Sequence, residues 1–291
     1  MELTASLILD ARAELAEGPI WNYRENKLYW VDIDGRKLHI YDPETKEDRA
    51  LETTEKIGTV VPMENGDVLV ALQSGIHQMN TTTGELVFMT NPLPDPEIRF
   101  NDGKCDPSGR FWVGSMHLKQ IKGKASLYRM DADDVVHQML DNVTISNGIA
   151  WSADKKTMYY VDTPTKKVDA FDYDDAAGNI SNRRTVIHVP EGSGSPDGMT
   201  IDEEGMLWTA LWGDFSVARW NPLTGELLGK VTVPVPQVSA CAFGGKDLST
   251  LYITTARENM SKEDLEKYPL SGSLFAVDLK VKGVKANFYK G

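Results

Sequence analysis

The sequence predicts an all-β fold, a six-bladed β-propeller, and two observations support this prediction. Short runs rich in aromatic and β-branched residues recur six times along the 291 residues, and successive runs start 40 to 49 residues apart. Each run is too short for a typical helix and suits a pleated sheet. Four short strands in each unit of about 45 residues, repeated around a ring, are typical of propeller blades.

Each repeat unit supplies its strands in a fixed order. A segment with a small residue, usually glycine, comes first, the aromatic run follows, and a hairpin with turn residues such as N-P-L-T-G-E ends the unit. We predict one domain over residues 1–291, with the N-terminal segment 5–10 joining the last blade and closing the ring. A two-sheet sandwich is the structural alternative. These runs, which we call the aromatic runs although the second is purely aliphatic, begin at Leu28, Val68, Phe111, Met158, Leu207 and Leu251.

The composition narrows the range of partners. Acidic residues outnumber basic ones by 43 to 31, which gives a net charge of −12. Such a field repels phosphate and anionic lipid, so we expect no nucleic-acid or membrane partner. Cys105 and Cys241 form no zinc or redox spacing, and the N-terminus lacks the basic start of a signal peptide. We therefore expect a cytoplasmic protein that is a monomer or a weak dimer.

Polar residues recur at one position of the repeat, immediately before the small residue of the first strand. In a propeller this strand lies nearest the central axis, so these side chains are expected to converge there. Four of the six are carboxylates or an amide, where an ordinary core would hold apolar groups, and Asn101 precedes one of them. The six residues, which we call the polar column, are Glu17, Ile57, Asp102, Asn147, Asp197 and Ser239.

The polar column predicts a cation site. Several partly buried carboxylates around one axis repel each other and lose hydration unless a cation or a proton lies among them. A polar plug without metal is the alternative. Because the side chains offer only oxygen donors, Ca²⁺, Mg²⁺ or Mn²⁺ is favoured, while Zn²⁺ also binds carboxylates. We expect one divalent cation, with Ca²⁺ as the first choice.

The chain resembles the SMP-30/gluconolactonase/luciferin-regenerating-enzyme group, the regucalcin-like family, along essentially its whole length. The resemblance rests on the segments A-E-G-P-I-W from Ala16, R-F-N-D-G-K from Arg99, D-P-S-G-R-F-W-V-G-S-M from Asp106, I-S-N-G-I-A-W-S from Ile145, V-D-A-F-D-Y from Val168, S-P-D-G-M-T-I-D from Ser195 and C-A-F-G-G from Cys241. The family fold is a six-bladed propeller, in agreement with the repeat count.

The resemblance implies site residues and an activity. By motif, the metal ligands of the family correspond to Glu17, Asn147 and Asp197, and Asp197 also takes the role of general acid and base. The substrate-contacting residues correspond to Arg99 and Asn101. The activity implied is metal-dependent hydrolysis of a sugar lactone such as gluconolactone. A phosphotriesterase-like hydrolase and a non-catalytic calcium-binding propeller are the alternatives.

One loop departs from the family pattern. Animal members carry a substrate-contacting Glu soon after the G-(S/T)-M motif, whereas here residues 117–125 contain no acidic residue. Lys119 is the nearest counterpart of that Glu, so the accepted lactone is expected to differ. His117 lies at the start of this loop and is a candidate substrate contact, and Trp21 or Trp212 is a candidate for lining the pocket.

Overall fold

The chain folds into six small antiparallel sheets arranged in a closed ring, which confirms the predicted six-bladed propeller. This computed structural model describes residues 2–93 and 95–291. The first strand of each sheet contacts the first strand of the next, and the sixth sheet contacts the first, so the ring has no open end. Closure of this kind leaves only short, protected sheet edges.

The first half of the chain forms two N-terminal strands and then three sheets. The N-terminal strands are β1 (Glu2–Thr4) and β2 (Ser6–Leu9). The first sheet contains β3 (Ala16–Asn22), β4 (Lys27–Asp32), β5 (Lys37–Asp42) and β6 (Glu47–Glu52). The second contains β7 (Ile57–Pro62), β8 (Val68–Leu72), β9 (Gly75–Met79) and β10 (Leu86–Thr90). The third contains β11 (Ile98–Cys105), β12 (Phe111–His117), β13 (Ala125–Met130) and β14 (Val136–Val143).

The second half repeats this plan. The fourth sheet contains β15 (Ser146–Trp151), β16 (Thr157–Asp162), β17 (Lys167–Asp174) and β18 (Asn179–His188), with a 3₁₀ turn at Thr163–Thr165. The fifth contains β19 (Ser195–Ile201), β20 (Leu207–Trp212), β21 (Ser216–Trp220) and β22 (Leu227–Thr232). The sixth contains β23 (Val238–Gly244), β24 (Thr250–Thr255) and β25 (Leu274–Asp278), with helix α1 (Lys262–Lys267) between the last two.

The N-terminal segment contributes to two sheets. Strand β2 pairs antiparallel with β25, where Ser6 faces Ala276, and supplies the outer strand of the sixth sheet. Strand β1 pairs parallel with β22 and adds a fifth strand to the fifth sheet, which the sequence did not predict. The two ends of the chain are therefore joined within one sheet.

The aromatic runs form the second strand of every sheet, as the repeat predicted, and their side chains fill the space between blades. Trp112 and Trp208 are fully buried. Each indole nitrogen donates a hydrogen bond of 2.9 Å to an aspartate, Asp106 and Asp202 respectively. A buried donor without a partner costs about 1–3 kcal/mol, so these bonds let the rings lie in the core.

The C-terminal segment crosses the end of the ring where the innermost strands finish. Gly283 pairs with Asp202 just after β19, Tyr289 pairs with Met63 just after β7, and the side chain of Asn287 donates to the carbonyl of Cys105 at the end of β11. This segment therefore covers one end of the central channel. In the described parts of the chain, no helix is both long and apolar enough to cross a membrane.

Candidate active site

The polar column lies at a break in the pairing of every innermost strand. Each of these strands shifts register against its neighbour at this point, which is the geometry of a β-bulge. Bulges bend a strand and re-aim its side chains, and they are common next to active sites. The shifts fall between Glu17 and Ile20, Ile57 and Thr59, Phe100 and Gly103, Ser146 and Ile149, Pro196 and Met199, and Val238 and Ala240.

The small residue after each column position brings neighbouring blades close together. A Cβ atom at Gly148 would lie 2.5 Å from the Cβ of Met199, and one at Gly198 would lie 2.3 Å from the Cβ of Ala240. Real Cβ atoms do not approach so closely. The repeated glycine is therefore needed for packing around the axis, and it holds the preceding side chains near one another.

A chain of hydrogen bonds links the predicted substrate residues to a predicted metal ligand. Arg99 Nη1 donates to Asn101 Oδ1 at 2.7 Å, and Asn101 Nδ2 donates to Asn147 Oδ1 at 2.9 Å. Asn147 Nδ2 then donates to Thr163 Oγ1 at 2.7 Å, and that hydroxyl donates to the carbonyl of Pro196. These hydrogen bonds cross three blades and fix the orientation of the Asn101 and Asn147 amides. Each amide oxygen can still accept a further hydrogen bond.

Three carboxylates of the column are buried: Glu17, Asp102 and Asp197. Glu17 accepts a hydrogen bond from the backbone N–H of the glycine that follows it, at 2.9 Å, and Asp102 does the same at 2.8 Å. The Oδ1 atom of Asp197 is buried and has no hydrogen-bond partner among the residues described. An unpaired buried carboxylate oxygen is costly, so this atom points to a missing partner.

The carboxylates also perturb one another. Burial raises the pKa of Glu17 to about 8, and the negative charge of Asp102 adds to this rise. Burial raises the pKa of Asp197 well above its usual range, and the charges of Glu17 and Asp102 contribute further. Glu17 and Asp197 therefore hold their protons more tightly than they would in water. A bound cation would favour the charged carboxylates and lower both pKa values.

The donors present suit a hard divalent cation. Glu17 and Asp197 offer carboxylate oxygens and Asn147 offers an amide oxygen, and such oxygen ligands are preferred by Ca²⁺ and Mg²⁺. Within residues 2–93 and 95–291, no three His, Cys, Asp or Glu side chains form a ready-made metal cluster. The predicted set has only two such residues, so its third ligand must be the amide. The unpaired Asp197 oxygen is the observation that favours a cation here.

Two acidic residues near Arg99 were not predicted as site residues from the sequence. Burial lowers the pKa of Arg99, while the charges of Asp34 and Glu258 oppose that fall most strongly. Burial raises the pKa of Glu258, with Asp34 adding to it. Both residues lie in connections between strands, outside the repeat position that the sequence singled out, and no motif signal identified them.

The loop that follows β12 also has an acidic neighbour. Lys119 lies 2.7 Å from a carboxylate oxygen of Glu97, and Nε2 of His117 lies 3.7 Å from the other oxygen. His117 is buried, and its Nδ1 accepts a hydrogen bond from the backbone N–H of Lys119. Glu97 is only two residues from Arg99 in the chain. An acidic group thus reaches this loop from another segment, although the loop itself has none.

Comparisons with known proteins agree with this architecture. The family described as the SMP-30/Gluconolactonase/LRE-like region matches residues 15–257. A Bacillus subtilis protein with the provisional name sugar lactone lactonase YvrE is 38% identical over 282 residues, covering 97% of each chain. Regucalcin of Danio rerio is 38% identical over 287 residues, covering 98% of this chain and 97% of its own.

Solved structures show the same likeness. A calcium-binding protein from Agrobacterium tumefaciens, regucalcin, superposes with a TM-score of 0.95 at 27% identity, covering 100% of this chain and 99% of its own. A luciferin-regenerating enzyme superposes with a TM-score of 0.90 at 32% identity, covering 96% of each chain. The chain therefore belongs to the SMP-30/gluconolactonase/LRE-like family.

Proposed function

We propose that this protein is a divalent-metal-dependent hydrolase that opens sugar lactones at the polar column. Membership of the family supports a lactonase-type activity, since relatives include proteins named as a sugar lactone lactonase and as a gluconolactonase. The buried, unpartnered oxygen of Asp197 beside Glu17 and the oriented amide of Asn147 is the structural observation on which the proposal depends.

In this proposal, Glu17, Asn147 and Asp197 hold the cation. When bound, a divalent cation supplies polarisation of the lactone carbonyl and stabilises negative charge on its oxygen. Ca²⁺ is our first choice because the donors are all oxygen and a regucalcin structure of the same fold is described as calcium-binding. Zn²⁺, Mn²⁺ and Mg²⁺ are the other ions to test.

Asp197 moves the proton. A carboxylate has two oxygens, so one can bind the cation while the other accepts a proton from the attacking water. The water oxygen then bonds to the carbonyl carbon, the bond from that carbon to the ring oxygen breaks, and Asp197 returns the proton to the ring oxygen. The product is the open-chain hydroxy acid, and Asp197 ends in its starting state.

Arg99 and Asn101 orient the substrate. Arg99 uses Nη1 for two hydrogen bonds within the protein, to the carbonyl of Phe100 and to Asn101, which leaves further guanidinium N–H groups for sugar hydroxyls. Both N–H groups of the Asn101 amide are already engaged, with Ser146 and Asn147. Asn101 can therefore contact a substrate only as an acceptor, and its larger effect is to hold its two neighbours in place.

The test is acid release from gluconolactone, followed against a blank without enzyme, with and without a chelator. We expect turnover that the chelator abolishes and that added Ca²⁺ or Mn²⁺ restores. Hydrolysis of a fluorophosphate in preference to the lactone would instead support the phosphotriesterase alternative. Tight cation binding without turnover of any lactone in a panel would support the non-catalytic calcium-binding alternative.

A further inference from the structure

A cavity of about 210 Å³ lies at the end of the ring opposite the polar column. Its wall is made by the last residues of the innermost strands, and residues 284–287 of the C-terminal segment close one side. Trp21 follows Glu17 by four positions, and Ile201 follows Asp197 by four, so the two ends are about 13 Å apart along a strand. The wall includes Trp21, Cys105, Ile149, Trp151, Ile201 and Phe243.

The charge of this cavity is opposite to that of the whole protein. Three lysines line it, Lys104, Lys155 and Lys285, and the described lining residues include neither Asp nor Glu. The chain as a whole has a net charge of −12. A positive, apolar recess within an acidic protein is a selective environment, because it attracts anions that the rest of the surface repels.

Lys104 is the lysine placed to hold an anion inside the cavity. Its ammonium group donates to the backbone carbonyl of Met199, and its charge also opposes the rise in pKa that burial causes at Asp102 and Glu17 in the polar column. Lys155 is engaged at the rim with Asp175 at 3.3 Å. Lys104 follows Asp102 by two positions, which puts it between the polar column and the cavity.

The walls of the cavity favour an anion whose uncharged part is apolar. The indole N–H groups of Trp21 and Trp151 are buried away from solvent and have no partner in the part of the chain described, so the two residues offer the cavity ring surface and no accessible donor. Sugar hydroxyls buried here would lose their hydrogen bonds to water, at about 1–3 kcal/mol for each unpaired group. A sugar acid is therefore a poor ligand for this cavity.

The volume sets the size of the ligand. A cavity of about 150 Å³ is known to hold benzene, so about 210 Å³ accommodates one aromatic ring with a short charged arm. We propose that this cavity is a binding site for a compact aromatic monocarboxylate, in which Lys104 binds the carboxylate and the two tryptophan rings pack against the aromatic ring. This site is separate from the lactone site of the proposed function.

The test is calorimetric titration of the full-length protein with phenylacetate, in the presence of chelator. We expect saturable binding of one phenylacetate per chain. Phenylacetamide, which has the same shape without the charge, should bind at least tenfold more weakly. Gluconate, which has the charge without the apolar body, should not compete. Equal binding of phenylacetate and phenylacetamide, or no binding of either, would overturn the proposal.

Variants locate the site. Lys104→Met keeps most of the length of the side chain and removes its charge, and we expect at least tenfold weaker binding of phenylacetate. Lys119→Met, at the opposite end of the ring, is the matched control and should bind as the wild type does. A cooperative thermal melt verifies that each variant is folded.

A second variant, in which a larger side chain fills the cavity, keeps the test valid if Lys104→Met disturbs the polar column. Ala286→Trp, in the covering segment, should block phenylacetate while leaving lactone turnover unchanged. Wild-type binding in both the Lys104→Met and the Ala286→Trp proteins would place phenylacetate elsewhere and contradict the assignment.

Discussion

The two ends of the innermost strands differ sharply although the same six strands form both. Where the strands begin, the pairing is bulged and the side chains are carboxylates, amides and a guanidinium. Where they end, the pairing is regular and the side chains are apolar, as at Ile20, Ile201 and Phe243. The repeat therefore fixes the backbone of the ring, while the bulge decides which end presents polar groups to the axis.

Aspartates at the two ends show the same contrast. Asp197, at the bulged end, is buried with one oxygen unpaired. Asp202, at the regular end, is also buried, but its carboxylate accepts hydrogen bonds from Trp208 and Arg219. The fold therefore gives Asp202 hydrogen-bond partners and leaves one oxygen of Asp197 without any. A ligand or a proton can bind at that oxygen.

The largest expected effect is loss of activity in Asp197→Asn. Removing the group that moves the proton should lower kcat/KM for gluconolactone by about 10³-fold or more. In chelator, the melting temperature should equal or exceed that of the wild type, because a buried carboxylate with an unpaired oxygen has been removed. Retention of more than a tenth of the activity would rule out the role of Asp197.

The matched change at the other end is Asp202→Asn, with the opposite outcome. The change removes the carboxylate charge that pairs with Arg219, but Arg219 keeps Glu204 as a second partner, so we expect the free energy of unfolding to fall by about 1–3 kcal/mol. Activity per folded molecule should remain near that of the wild type. Chemical denaturation and turnover measured on the same samples check both statements. A loss of turnover in the folded fraction would contradict the claim that Asp202 has a structural role only.

The second effect is stabilisation by a cation. A ligand present at 100 times its Kd adds about 2.7 kcal/mol to the free energy of unfolding, which for a chain of this size corresponds to a shift of about 5 °C in Tm. We expect Ca²⁺ or Mn²⁺ to produce such a shift in the wild type. Glu17→Gln should lose most of it while remaining folded in chelator. An equal shift in both proteins would mean that the ion binds elsewhere.

A smaller effect is expected from Asn101→Leu. The leucine has nearly the same volume but breaks the hydrogen bonds to Arg99 and Asn147, so both groups lose their fixed orientation. We expect kcat/KM to fall by about 10–100-fold and the stabilisation by Ca²⁺ to shrink. Asn22→Leu, at the far end of β3, is the control and should lower Tm without lowering activity.

Much of the ring could be predicted from the sequence, because its signals are local. The aromatic runs recur within each unit, and the polar column stands at a constant place before a small residue, as with Asp197 before Gly198. The structure places Asn101 and Asn147 in contact, as the predicted convergence requires. The metal and catalytic roles assigned to these residues stay predictions.

Other features depend on contacts between distant segments, which a single sequence does not reveal. A bulge is a property of a strand pair, so the register shift beside Glu17 could not be seen in β3 alone. Glu97 meets Lys119 although 22 positions separate them in the chain, and the C-terminal segment pairs with residues as distant as Met63 and Asp202. These features have no repeated motif.

The smallest expected effect is a change of substrate preference in Lys119→Glu. Lys119 and Glu97 are largely exposed, so breaking their ion pair should leave Tm unchanged. A carboxylate here gives the loop the acidic residue that it lacks, so KM should change severalfold between lactones while kcat stays the same. Identical KM values over a lactone panel would show that the loop does not contact the substrate.

The most direct measurement is a crystal structure of the protein grown with Ca²⁺. We expect one density peak at 2.3–2.6 Å from oxygens of Glu17, Asn147 and Asp197 together, on the bulged side of the channel. A peak that touches none of the three, or three side chains that turn away from one another around ordered water, would contradict the shared cation on which the proposed chemistry depends.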